Sequence, residues 1–193
     1  MAITGAKIAD EILDLYKKFG NQDYIGEPVS QLEHMSQCAQ LAMQEGYDEE
    51  VILAAFFHDI GHMCEHIMPV KYMDGFGVAD HEKMGANYLL SNGFSEKIAR
   101  LVNSHVNAKR YLTFKYPSYY VQLSEASKST LQFQGGPMTF DEAILFEEQV
   151  DFDLYLALRR WDEAAKVESV PIIDLNEIRT MIISHLGNNN GVV

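Results

Sequence analysis

Seven histidines, His34, His58, His62, His66, His81, His105 and His185, and a large set of carboxylates are the residues best equipped for chemistry. A single histidine on a helix is more often a hydrogen-bonded or surface residue than a ligand, so the pattern matters more than the count. His58-Asp59 closes the most apolar stretch of the chain, Val51 to Phe57. An ionised Asp behind Ala54-Ala55-Phe56-Phe57 costs several kcal/mol if it is buried without a partner. A metal ion removes that cost, because imidazole and carboxylate are both good ligands for first-row metals. A histidine meeting a helix C-terminus would explain His58 or His62, but not the buried Asp beside it. His62 lies four residues beyond His58 and shares its face if the helix runs on through Gly61. Two cations stand near other candidate ligands. Lys109 follows His105 by one turn, and Arg159 precedes Asp162 by three residues, each on the same helical face.

These residues need helices to position them, and the chain reads as almost all helix. Leu, Ile, Ala and Met recur at three- and four-residue spacings, with little alternation. A first helix is expected over Gly5 to Phe19. Ser30-Gln-Leu-Glu33 is a capping box that opens a second helix, running to about Glu45. Asp48 caps a third, with Glu49 and Glu50 favoured by the dipole of its first turn, ending near Ile60-Gly61. Residues 63–80 read as irregular. Further helices are expected from Asp80 to Ser91, from Ser95 through Val106, briefly over 116–126, over 139–149 and 153–167, and from Asp174 to Leu186. Gln134-Gly-Gly-Pro137 is a break and Thr139-Phe-Asp-Glu142 a second capping box. The tail 187–193 is expected to be flexible.

Composition bounds the function. At 193 residues, with 47% hydrophobic and 22% charged residues, one domain with a sizeable core is expected. No apolar run approaches the roughly 20 residues of a membrane span. The N-terminus turns polar too early for a secretory signal. Two cysteines, Cys38 and Cys64, build no disulfide framework, and a cytoplasmic setting is expected; both are assigned to the core. The net charge of -13 argues against nucleic acid and anionic membranes. It also means that any anionic substrate needs a local cationic site.

The ordered set His34, His58-Asp59, Asp162 resembles the HD-domain superfamily, H…HD…D on a helical bundle. His81 and His105 fall where two-metal members carry histidines. Tyr24-Ile-Gly-Glu27, His105-Val-Asn-Ala-Lys109-Arg-Tyr, Ser124-Glu-Ala-Ser127 and Phe133-Gln-Gly-Gly-Pro-Met138 are similar to the mixed-valent diiron HD oxygenases that cleave organophosphonates. The resemblance spans roughly residues 24–162. It implies a single all-α HD domain over 1–193, with the ligand-bearing core over about 24–165.

It also implies two irons per chain, Fe(II)/Fe(III), with O2 as co-substrate. Asp59 would bridge them. His34, His58 and Asp162 would complete one iron's ligands, and His81 and His105 the other's. His62, Lys109, Ser127, Gln134 and Arg159 would hold the phosphonate. Tyr24 and Glu27 would form a lid, the tyrosine yielding to substrate and the acid meeting its ammonium. The implied reaction is oxidative C–P cleavage of 2-amino-1-hydroxyethylphosphonate to glycine and phosphate, or of an N-methylated analogue. His66 and His185 have no role in this scheme and are assigned to the surface.

Two rival readings share the same residues. An HD phosphohydrolase would attack phosphorus with a metal-bound hydroxide. A metal-stabilised adaptor would need no anion-binding lysine beside its ligands. No G-x-G-x-x-G follows a strand pattern and no G-x-S-x-G is present, so hydride transfer and serine chemistry have little support. The oligomeric state is not legible in the sequence.

Overall fold

The computed structural model describes residues 4–24 and 26–189. The expectations for Met1 to Ile3 and for the last residues, 190–193, lie outside the described residues. Eleven α-helices follow one another among the described residues, with only two isolated β-bridges. The chain is all-α.

The first three helices follow their capping signals. α1 (Gly5–Phe19) starts at Thr4, whose side chain accepts from Lys7 N. α2 (Gln31–Gln44) carries the capping box: Ser30 N donates to Glu33 Oε2 at 2.7 Å, and Glu33 N donates to Ser30 Oγ at 3.3 Å. α3 (Glu49–Phe57) starts at Asp48, which accepts from Val51 N. Every residue of α3 from Val51 to Phe57 is buried, as an all-apolar helix requires. α3 packs on α2 and on α6 (Glu96–Lys115), with α10 (Phe152–Ala164) against both of those neighbours. α5 (His81–Ser91) packs on α6, and α1 lies along α11 (Leu175–Asn189). Tyr16, Phe56, Phe57 and Trp161 are the bulkiest fully buried side chains, each removing roughly 1.5–3 kcal/mol worth of apolar surface from water.

Five expectations are corrected. The third helix does not run to Gly61: it ends at Phe57, Asp59 leaves helical geometry (φ -105°, ψ 13°), and a four-residue α4 (Ile60–Met63) restarts. His58 and His62 therefore stand on different helices. The short helix after Pro117 is two, α7 (Pro117–Gln122) and α8 (Glu125–Phe133), because Ser124 caps a new start by accepting from Ser127 N. The last helix reaches Asn189, so residues 187–189 are helical. His185 is buried: its ring stacks on Phe94 and its Nε2 accepts from Ser95 N at 3.1 Å. His66 is half-buried, stacked on Phe19 at 3.6 Å between ring centres. α9 (Phe140–Glu147) has the expected capping box at Thr139.

Candidate metal centre and substrate cavity

The six candidate ligands come from five places in the fold and meet at one point. His34 sits in the first turn of α2, and His58 and Asp59 sit at the α3–α4 break. His81 opens α5, His105 lies midway along α6, and Asp162 is near the end of α10. All six are buried, with at most 5% of any of them exposed. The break after α3 matters locally: it lets consecutive residues His58 and Asp59 both turn inward. Gly61 matters as well. A Cβ there would fall 1.9 Å from the His81 carbonyl oxygen, so only glycine lets α4 approach the start of α5.

The histidine rings are oriented by the backbone. Nδ1 of His34, His58 and His105 lies 2.8 Å from the carbonyl oxygens of Ala165, Ala55 and Val102, and that of His81 lies 3.2 Å from Val78 O. A neutral ring that donates from Nδ1 presents a bare lone pair at Nε2, the form that binds metal. These Nε2 atoms face each other in pairs, 3.1 Å for His34 and His58 and 3.0 Å for His81 and His105. Two lone pairs pointed at one another inside a protein call for a cation between them.

Asp59 lies between the two pairs. Its Oδ2 is 3.3 Å from His58 Nε2 and 3.7 Å from His34 Nε2; its Oδ1 is 3.3 Å from His81 Nε2 and 3.2 Å from His105 Nε2. Asp162 Oδ1 is 3.4 Å from His34 Nε2, on the first pair. With one carboxylate oxygen facing each histidine pair, Asp59 could serve a metal ion at either pair. Burial alone would raise the Asp59 carboxyl, but His58, His105 and His81 hold it well below the usual carboxylate range. Asp162 is held low in the same way against its burial, first by Arg159 and then by His34. Cys38 is fully buried, and its sulfur belongs to the same tight group of donor atoms as His34 and His58. Cys64 is turned away, donating to Ile60 O.

The centre opens into a small cavity of about 70 Å³. Tyr24, Glu27, His62, Lys109, Ser127, Gln134 and Arg159 all line it, together with Asp59, His81, His105 and Asp162. Tyr24 stacks on His34 at 4.0 Å, and burial, then the charge of Asp59, raise its hydroxyl pKa well above the ordinary value. The turn that carries it contains Gly26, at φ +77°, where a Cβ would fall 2.8 Å from that of Ala126 on α8. His62 stacks on His81 at 4.2 Å and accepts from Val78 N at Nδ1. Its neutral ring therefore carries its proton at Nε2. Burial and then His81 bring its pKa down to about 3, so it stays uncharged at neutral pH.

Lys109 donates to Thr130 Oγ1 at 2.9 Å; burial and then Arg159 lower its ammonium to about 7. Arg159 donates from Nη1 to Asp162 Oδ2 at 2.5 Å and from Nε to Tyr119 Oη at 2.8 Å, and pairs with Glu163. It thus braces a candidate ligand while bordering the cavity. Glu27 Oε1 accepts from Ser124 Oγ at 2.6 Å and from Lys166 Nζ at 2.8 Å.

Several cavity residues were not anticipated. Gln31 lies three residues before His34 on α2, a face-sharing spacing that could have marked it. Thr130 likewise follows Ser127 by three on α8. Met73, Phe76 and Val106 supply an apolar wall. Lys166 and Tyr119 carry no local signal, because their partners are far away in sequence.

The comparisons with known proteins agree with this geometry. Residues 32–139 match the HD domain family. An uncharacterized protein, L432, of Acanthamoeba polyphaga mimivirus is 42% identical over 94% of this chain and 83% of its own. The [1-hydroxy-2-(trimethylamino)ethyl]phosphonate dioxygenase (glycine-betaine-forming) of Leisingera caerulea is 37% identical over 93% of each chain. The hydroxymethylphosphonate dioxygenase of Gimesia maris is 38% identical over 86% of this chain and 82% of its own. The chain belongs to the HD-domain family, and within it to the HD-domain oxygenases. It is an enzyme of that group, with a His/Asp metal centre.

Proposed function

We propose that this enzyme uses O2 to cleave the C–P bond of a small 1-hydroxyphosphonate, with 2-amino-1-hydroxyethylphosphonate, giving glycine and phosphate, as substrate. The observation that carries the reading is the pair of histidine groups bridged by Asp59, opening onto a cavity that holds Lys109 and Arg159. The donor set fits two iron ions, which would supply the redox chemistry with O2; the chain's own residues supply binding and orientation.

Lys109 and Arg159 offset the phosphonate charge, and the His62 Nε2–H donates to it without adding charge. Ser127 gives a further hydroxyl. Gln31 and Gln134 each keep a buried side-chain oxygen without a hydrogen bond, acceptors suited to a substrate ammonium. Tyr24 covers the His34 side of the centre and must swing aside when substrate reaches it. The overall step balances: hydroxyphosphonate and O2 give a carboxylate and phosphate, carbon losing the four electrons that O2 gains. No outside reductant is needed.

The relative from Leisingera caerulea supports a second reading, an N-methylated substrate. The aromatic and thioether wall of Phe76, Tyr24 and Met73 suits a quaternary ammonium. Phosphorus NMR of the loaded enzyme with each candidate phosphonate, with and without O2, tests both. Phosphate and amino acid are expected in equal amounts with O2 only. Phosphate released under strict anaerobiosis would point to a hydrolase instead.

A further inference from the structure

Glu27 is the only carboxylate at the cavity wall outside the proposed ligand set, among the described residues. It would be the natural partner of a substrate ammonium, yet it already has a cation. Lys166, just past the end of α10, places Nζ 2.8 Å from Glu27 Oε1, and both side chains are largely buried, 13% and 8% exposed. Ser124 donates to the same oxygen. Glu163 lies 3.7 Å from Lys166, a second carboxylate that anchors the lysine.

We propose that Lys166 is a specificity-determining residue: a built-in ammonium that neutralises Glu27 and so weakens the cavity's preference for phosphonates carrying an amine. The physical argument is Coulombic. A lone buried carboxylate attracts an incoming ammonium strongly, whereas a close carboxylate–ammonium pair has no net charge and attracts it far less. With Lys166 in place, recognition of an amine falls to neutral acceptors such as the Gln31 and Gln134 side-chain oxygens. The same cavity then also admits a phosphonate with no amine. The inference rests on the proposed phosphonate reading and concerns the Glu27 side of the cavity.

Binding without turnover tests it. Iron-loaded enzyme is titrated calorimetrically, under strictly anaerobic conditions, with 2-amino-1-hydroxyethylphosphonate and with 1-hydroxyethylphosphonate. The ratio of the two dissociation constants measures selection for the amine. Lys166→Met is expected to raise that selection at least about fivefold, by uncovering Glu27. Lys166→Arg, which keeps the charge, is expected to leave it within about twofold. If Lys166→Met does not fold, Lys166→Gln is read in its place, since the amide keeps a donor for Glu27 while removing the charge. An unchanged ratio in the neutral variant, with both ligands still bound, overturns the role of Lys166 and leaves the function standing. Failure of the wild-type enzyme to bind either phosphonate overturns the proposed function, and this inference with it.

Discussion

Asp59 carries the centre at the scale of single residues. Its two oxygens each serve one histidine pair, and no neighbouring side chain duplicates the bridge. Asp59→Asn keeps the shape but removes the charge. Metal content is expected to fall from about two ions per chain to fewer than about one, with O2 consumption lost; elemental analysis of the purified variant checks it. Lys109 gives a pH dependence with a definite sign. Its ammonium is lowered to about 7, so it is positive below that pH and neutral above it. Affinity for the phosphonate should therefore weaken as pH climbs past about 7, and Lys109→Met should flatten that limb of the kcat/KM profile while metal content holds. The proposed ligand residues stood out because His-Asp follows a run of buried apolar residues, a combination with few explanations other than metal. The Lys166–Glu27 pair was not legible, since its members lie 139 positions apart and Lys166 belongs to no motif. Cys38, one turn after His34, was placed in the core by default and near the ligands as the alternative; its closeness to both His34 and His58 depends on how α2 rotates against α3.

Helix joints control the site more than helix interiors do. The α3–α4 break turns His58 and Asp59 inward together, and Gly61 lets the start of α5 come close enough to present His81. Gly61→Ala would drive a methyl into the His81 backbone. A loss of at least about 3 kcal/mol in stability is expected, because backbone must move rather than a side chain. The His81–His105 pair should suffer before the His34–His58 pair, so the folded fraction of this variant should bind about one ion rather than two. Thermal unfolding together with metal titration checks both parts. The sequence showed where the helices with strong caps, α2, α3 and α9, begin. It did not show the α3–α4 break, because Ile60 to Met63 continues the apolar helical pattern and only Gly61 hints otherwise. The α7–α8 division was hidden for a similar reason, being made by one serine cap in a stretch with no glycine.

Across the whole molecule, a net charge of -13 coexists with a cavity that carries Lys109 and Arg159. Most of the acidic residues are exposed, which allows a small anion to be received in an acidic protein. Removing the metals should cost stability, since Asp59 and Asp162 would lose the cations between the histidines. A drop of about 3 kcal/mol, or roughly 10 °C in Tm, is expected on chelation and should reverse with added ferrous iron; calorimetry of the same sample before and after chelation checks it. The ligand positions also set an order of assembly. The members of each histidine pair stand 24 positions apart, so each pair is closed by a fairly short length of chain. The His34 side is completed only by α10, where the Ala165 carbonyl that orients His34 lies 131 positions away and Asp162 stands one turn before it. During synthesis the group of Asp59, His81 and His105 is therefore whole once α6 has left the ribosome, while the other half waits for α10. On the proposed two-metal reading, a nascent chain halted between those two helices would already hold one ion, and the second would arrive as the bundle closes.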